Sequence, residues 1–540
     1  MSEERLTSRQ RIVLILILFL ALIIRLWAVA ACRFIGTDGG VDGVGLLTAG
    51  RNLFSGAGFV FQGRPETIHA PLFPILAGLI WRVVGDLELA GLLVSALSGV
   101  VAVGAVYLLG RPLFGRAPAI YGSALAAVFP PFIYAATEVR VDTLYAALYL
   151  LLAAALWRAA RRPDFIRGAT AGTAIGLAYL TRPEGLIFLP LGAAAIFLKA
   201  GRGWKKQGRR LAAAGAGMLL IFALLALPYL SFLQRHLGDW TLSARSPFTF
   251  IPYFAEDWEE ANFQAYAYPE RVRAEWARRD GLPGVLWEER GKLARRFFHN
   301  LAVLFTIGRS EEFARMGLPS RPVSWTFAFL VIVFGGLLAR KLAARRWSFR
   351  DSFILLLCLP AVPYFFLTDF LTSQKLRYGY PYLAWLLLLA GAFLARRQVH
   401  FLRHLSAGIL LGGSLLVSIC LIPRKVNLVP YEFKSIGLWM RDNLEGIEEA
   451  TVMSQRLGVP FYAGARHVQI PPGTWPEILD YARRTGADYL AVDDWTTTRL
   501  RPGAAFLLES GPVPPQLDRV HGVTHRRRRA LLYRFLPDED

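Results

Sequence analysis

Cysteine is almost missing from this chain. Cys32, Cys358 and Cys420 are the three in 540 residues, each in or beside an apolar run and far from the others. No CxxC pair or Cys/His cluster forms, which leaves no zinc motif and no disulfide framework. No internal repeat stands out, and none of the paired, interrupted mid-membrane segments of many transporters is visible. Low-complexity tracts are absent too. Acidic residues are in deficit: 40 Asp and Glu face 61 Lys and Arg, a formal net charge of +21. The cations sit mostly in short loops between apolar runs, so they read as topology signals and contacts for anionic lipid, and nucleic acid is excluded as a partner.

Long apolar runs are plentiful. The chain is 54% hydrophobic, with a mean hydropathy of +0.38. The excess lies in runs at about 12–32, 70–86, 88–110, 117–136, 142–160, 167–181, 185–199, 211–233, 322–339, 352–370, 379–395 and 404–422. Their length suits helices crossing roughly 30 Å of hydrocarbon. The first run is too long for a cleaved signal, lacks a small-x-small site and is followed by further spans, so it is expected to stay as a span.

Basic loops at Arg111/Arg116, Arg158–Arg167, Lys199–Arg210, Arg340–Arg346 and Arg396–Arg403 set the cytoplasmic side, and Arg5, Arg9 and Arg11 start the chain there. The alternation closes if 70–86, which opens HAPLFP and carries Arg82, lies on the surface or re-enters. The expected fold is therefore an α-helical polytopic membrane protein with about eleven transmembrane helices. Residues 33–69, 137–141, 181–185, 234–321 and 371–378 then face outside. The segment AEDWEEANFQAYAYPERVRAEWARR reads as an amphipathic helix at the membrane surface.

After residue 424 the apolar runs shorten to strand length, as in TVMS, HVQI and DYLAVDD, with the helical pattern PEILDYARRTG between. Two domains are expected: 1–424 in the membrane, and 425–540 as a small α/β domain on the extracytoplasmic side.

Carboxylates near membrane depth are costly and point to function. Asp38 and Asp42 lie in the glycine-rich stretch GTDGGVDGVGLLTAGRNL, and Glu138, Arg140 and Asp142 in ATEVRVDTL. Each aspartate could also serve as a helix cap. Outward-facing carboxylates beside cations suit transfer of a sugar from a lipid phosphate. A carboxylate takes the proton of an acceptor hydroxyl, and cations hold the departing phosphate. Arg182 in LTRPEG, and Lys375 and Arg377 in TSQKLRYGYP, are candidates for the phosphate, with membrane anchoring as the plainer alternative. His69 and Arg51 are further candidates; Arg51 could instead pair with Asp42, and Glu184 with Arg182.

The order of these stretches resembles the bacterial GT-C class of membrane glycosyltransferases, glycosyltransferase family 39, the superfamily of dolichyl-phosphate-mannose protein mannosyltransferases and aminoarabinose transferases. DGVGLLTAGRNL matches its early acidic loop, with Leu46 and Gly50 where the family has tyrosine and alanine. HAPLFP, LVSALSGVVAVGAVYLLGRPLFG, VDTLYAAL, GLAYLTRPEGLIFLP and LRYGYPYLAWLLLLAGA follow in family order, and ADYLAVDD resembles its outer domain. The resemblance implies a GT-C fold and a polyprenyl-phosphate-linked sugar donor. It also implies an acceptor glycan, lipid or protein, and single-displacement, inverting transfer at the outer face of a bacterial cytoplasmic membrane. It implies Asp42 as base, with Asp38 as rival, Asp142 as second carboxylate, and Arg182 and Arg377 at the donor. His69 stands where the aminoarabinose transferases have a phosphate-binding lysine. No cofactor is fixed; Mg²⁺ or Mn²⁺ on Asp38, Asp42, Glu138, Asp142 and Glu184 stays open. The competing readings are a lipid or sugar transporter or flippase, and a polysaccharide ligase or polymerase.

Overall fold

The computed structural model describes residues 7–36, 41–305, 339, 348–361, 379–396, 400–509, 511–526 and 528–537. Among them, six helices are long and apolar enough to cross a membrane: Ser8–Ala31, Leu87–Phe114, Asp142–Arg161, Pro183–Ala200, Gly208–Leu237 and Arg403–Val426. Leu72–Val84 and Tyr380–Ala395 are shorter apolar helices. At 1.5 Å per residue, the first of these covers about 20 Å, less than the hydrocarbon thickness. The run expected at 322–339, apart from residue 339, and the end of that at 352–370 lie outside the described residues.

The chain divides into two compact units. The first is Met1–Arg33, His69–Leu242 and Arg290–Leu428; the second is Phe34–Ile68, Ser243–Glu289 and Val429–Asp540.

In the first unit, local signals place the helix starts. Thr7 and Gln10 form a capping box before Ser8–Ala31. The Asp86 carboxylate accepts the Leu89 amide at 2.8 Å, and that of Asp164 accepts the Arg167 amide at 2.8 Å. The Phe165–Tyr179 and Gly208–Leu237 helices pack through small residues. Gly168, Gly172 and Gly176 recur every four residues on one face, and a Cβ at the first two would collide with the backbone of Ala214 and Met218.

One expected span is not continuous. The run at 117–136 folds as two helices, Arg116–Val128 and Pro130–Ala135. Pro130 and Pro131 bring no N–H, so the carbonyls of Ala126 and Ala127, four residues back, lose their helical donors. The guanidinium of Arg25, fully buried in the Ser8–Ala31 helix, donates to both, at 3.3 Å to Ala126 and 3.1 Å to Ala127. The Ser418 hydroxyl donates to the next carbonyl, Val128, at 2.9 Å. Every broken bond at the kink is thus remade by a side chain.

The second unit is built on a five-stranded mixed sheet in the order Arg466–Gln469, Thr451–Ser454, Tyr489–Asp493, Arg528–Phe535, Leu517–His525. The first three strands are parallel and the last two antiparallel. Met453, Ile470, Ile478, Leu490, Val492 and Leu531 fill one core face, and Phe433, Ile436, Val452 and Leu532 the other. The expected single amphipathic helix after residue 255 is two, Trp258–Ala267 and Pro269–Arg278. Tyr268, held out of helical conformation by the proline that follows, separates them.

Polar links tie these loop segments to the sheet. His467 Nε2 faces the Ser454 carbonyl at 2.9 Å, an acceptor only, so that nitrogen carries the proton. Nδ1 therefore accepts from the Tyr266 hydroxyl at 2.7 Å, and Gln62 Nε2 donates to the same hydroxyl at 2.6 Å. Burial pushes the His467 imidazole down to about 4, which keeps it neutral and able to accept. Arg501, fully buried, donates to the Ile470 carbonyl at 2.6 Å and meets Glu259 at 3.3 Å.

Glu432 is the expensive group in this unit. Its carboxylate is fully buried, accepts no hydrogen bond among the described residues, and has the Arg528 guanidinium 3.9 Å away. Burial pushes it from the ordinary 4.5 up to about 7. Between those values the folded state holds a proton that the unfolded chain has released, so stability falls as pH rises through that window. Replacing Glu432 by Gln is expected to stabilise this unit at pH 8 on the order of 2 kcal/mol. It should also flatten the pH 4.5–7 slope, read as amide hydrogen exchange of the sheet in the full chain.

Candidate functional site

Asp142 is the first residue of the Asp142–Arg161 helix. Val141 is the cap, and it contributes no side-chain bond. The Asp142 carboxylate is therefore not the helix cap that its position suggests. It accepts a 2.5 Å hydrogen bond from Arg182 Nη2, and the two residues are 3% and 7% exposed. One turn along, the Tyr145 ring lies 5.5 Å from the guanidinium carbon.

Arg182 is aimed by its local backbone. It has an extended conformation, φ −148° and ψ 133°, and caps a 3₁₀ turn over Pro183–Ile187. Its carbonyl accepts the Gly185 amide at 2.9 Å. Gly185 lies against the backbone of Ala178 and Tyr179, where a Cβ would collide, so the sequence LTRPEG needs its glycine for close approach. Just before the turn, the Leu180 carbonyl accepts the Leu72 amide at 2.9 Å. That bond fastens the HAPLFP segment, with half-buried His69, beside the Arg182 turn. Glu184 is exposed on the same turn. Arg182 is thus bonded to Asp142, forty residues away.

A second charged group lies just before Asp142. Glu138, 3% exposed, is held by two cations: Arg140 Nη1 at 3.0 Å and Lys425 Nζ at 3.1 Å. Lys425 is 1% exposed and also donates to the Thr137 hydroxyl at 2.6 Å and the Tyr134 carbonyl at 3.3 Å. Its ammonium sits 3.8 Å from the centre of the Tyr134 ring. Ser95 Oγ donates to the Glu138 carbonyl at 2.7 Å. Lys425 was not visible as a site residue in the sequence, where Pro423 and the polar residues after it read as the end of a span. The helix runs on, over His400–Val426.

Asp42 belongs to the second unit. It lies in the first turn of the Val41–Phe54 helix, which buries Leu46, Leu47 and Ala49. One carboxylate oxygen is 3.6 Å from Arg245 Nη2, with the side chains 26% and 34% exposed. Arg245, the first residue of the Arg245–Phe254 helix, gave no signal within its long loop. Arg51 is nine residues from Asp42, two and a half helical turns, so the two point to opposite sides. It is exposed and reaches Asn52 at 3.5 Å. Asp38, Lys375 and Arg377 lie outside the described residues. Among the described residues, no three His, Cys, Asp or Glu side chains converge as metal ligands.

A buried ion pair stripped of one member leaves an uncompensated charge, at a cost of about 3–5 kcal/mol. Asp142→Leu and Arg182→Met are each expected to destabilise the detergent-solubilised protein by that order, and the double substitution by clearly less than the sum. Thermal unfolding of the four proteins measures the coupling.

Residues 68–230 match the family model described as Dolichyl-phosphate-mannose-protein mannosyltransferase. No curated protein matches the chain. Among solved structures, the oligosaccharyltransferase of Archaeoglobus fulgidus in the apo form superposes with a TM-score of 0.57 at 15% identity, over 90% of this chain and 69% of that one. The same enzyme, AglB, with an inhibitory peptide and a dolichol-phosphate gives 0.57 at 14%, over the same shares. ArnT from Cupriavidus metallidurans in the apo state gives 0.49 at 16%, over 96% and 97%. The chain therefore has a GT-C membrane fold, and its residues 68–230 are similar to the dolichyl-phosphate-mannose-protein mannosyltransferase family.

Proposed function

We propose that this protein is an inverting glycosyltransferase. It moves a hexosyl or pentosyl group from a polyprenyl-phosphate donor to a glycan, lipid or protein acceptor at the outer face of a bacterial cytoplasmic membrane, with Asp42 as general base. The family match over residues 68–230 and the GT-C fold support the reaction class. The topology drawn from the basic loops supports the side, with the 425–540 domain extracytoplasmic.

The observation that carries the assignment of the base is the contrast between two aspartates. Asp142 is buried and bonded to Arg182 at 2.5 Å, so accepting a proton there would break that pair inside the protein. Asp42 is 26% exposed and forms an ion pair with Arg245 at 3.6 Å, so it can be reached from solvent. Asp42 takes the acceptor proton as the acceptor oxygen bonds to the anomeric carbon. The bond from that carbon to the phosphate oxygen breaks, and polyprenyl phosphate leaves with the electron pair. Its growing charge is met by Arg182, oriented by Asp142, with His69, Lys375 and Arg377 as further candidates. A divalent cation is not required by this scheme; were Mg²⁺ or Mn²⁺ bound, it would share the phosphate's charge.

Asp42→Asn is expected to lower turnover roughly 10²- to 10⁴-fold while leaving donor binding intact. Full-length protein in nanodiscs, supplied with a panel of radiolabelled undecaprenyl-phosphate hexoses and pentoses plus envelope glycolipids, reports release of undecaprenyl phosphate. Consumption of one donor by wild type and its sparing by the variant supports the assignment. Equal consumption by both removes Asp42 as base and moves the test to Asp38. Binding of a donor without consumption by either favours the transporter reading.

A further inference from the structure

The two polar contacts of the His400–Val426 helix with the segment before Asp142 have no part in the scheme above. Ser418 and Lys425 are seven residues apart, two turns of one helix, and so lie on the same face. Ser418 donates to the Val128 carbonyl at the head of the proline break. Lys425 reaches the Tyr134 carbonyl, the Thr137 hydroxyl and the Glu138 carboxylate at the other end of the short helix that follows. Residues 128–138 are thus gripped at both ends by one helix. The carbonyls of Glu138 and Arg140 meet the Ser95 hydroxyl at 2.7 and 3.5 Å, and the Arg140 amide bonds back to Glu138 at 2.9 Å.

The chemistry of the grip is specific. An ammonium in apolar surroundings is tolerated only when saturated, and Lys425 spends a hydroxyl, a carbonyl, a carboxylate and an aromatic face on that. All four partners come from residues 134–138. The lysine cannot be satisfied unless this stretch adopts the path seen here. That path ends four residues later at Asp142, and so sets where Arg182 is held.

We infer that Lys425 is a positioning residue: by saturating its ammonium on Tyr134, Thr137 and Glu138 it fixes the segment that presents Asp142, and through it Arg182, to the donor phosphate. The last clause rests on the proposed glycosyl transfer; the placement of residues 134–142 does not.

Two readouts separate these parts. The first is amide hydrogen exchange of residues 136–142 in the full-length protein in nanodiscs. Lys425→Met is expected to speed it about tenfold or more, with the Asp142–Arg161 helix interior unchanged, and Thr137→Val, which keeps the charge pair, to produce a smaller rise. The second is undecaprenyl phosphate release. Lys425→Met should lower kcat roughly tenfold to a hundredfold with donor KM unchanged. Adding Glu138→Gln, which removes the carboxylate left without its lysine, should recover thermal stability but leave kcat low, because the grip on residues 134–138 is still missing. Should Lys425→Met fail to fold, Thr137→Val alone carries the exchange test. Wild-type exchange in 136–142 for every variant that folds overturns the inference. Accelerated exchange in a protein whose wild type consumes no donor supports the placement and counts against the glycosyl-transfer reading alone. Full recovery of kcat by Glu138→Gln overturns the positioning role, since it traces the loss to the stranded carboxylate alone.

Discussion

Pro130 and Pro131 delete two hydrogen-bond donors in the interior of a membrane protein, and the surroundings of the candidate site depend on how that loss is made good. In water the orphaned carbonyls of Ala126 and Ala127 would be solvated. In hydrocarbon each would cost several kcal/mol. The replacement is Arg25, a cation in the middle of an apolar helix, whose fork of N–H groups matches two adjacent carbonyls. Two liabilities, an intramembrane arginine and a pair of prolines, cancel each other. The chain gains a bend it could not otherwise hold, and the bend leads directly to Glu138, Arg140 and Asp142. Gly99 belongs to the same arrangement: a Cβ there would lie 2.5 Å from Arg25 Nε.

Charge follows the same logic in graded form. Glu138 is held by two cations and is structural. Asp142 is bonded to one and orients it. Asp42 pairs with a cation at longer range, 3.6 Å from Arg245, and is partly open to solvent. The three carboxylates share a residue class, yet their surroundings differ in burial and in the cations that meet them. Identity alone cannot make that division, because the cations responsible come from residues 140, 182, 245 and 425.

What could be read from the sequence follows from how local each signal is. The spans, their caps at Thr7, Asp86 and Asp164, and the switch to strand-length runs near the C-terminus depend on neighbours in the chain, and they are legible. Asp142 and Arg182 were each legible as candidates, but their bond was not. Asp142 stands where a cap would stand, and Glu184 is the nearer carboxylate to Arg182. Lys425 and Arg245 were missed because their meaning comes from residues far away in sequence. Arg25 did leave a trace. A lone arginine inside ILFLALIIRLWAVA, together with two adjacent prolines inside another apolar run, is a mutual demand that residue chemistry could have matched. The recurrence of glycine at 168, 172 and 176 was likewise readable as a packing face.

The graded charges also bear on catalysis. Three cations, Arg140, Arg182 and Lys425, stand against the carboxylates of Glu138 and Asp142. A polyprenyl-phosphate sugar is a phosphodiester with a single negative charge, and the polyprenyl phosphate that leaves gains a second as the glycosidic bond breaks. A fixed positive charge in poorly solvated surroundings attracts the second state more than the first. That difference, and not the tightness of donor binding, is what lowers a barrier. The cost of assembling such a cluster is met in folding, by the saturation of Lys425 and the remaking of the proline break. Little reorganisation is then left for the moment when the bond breaks.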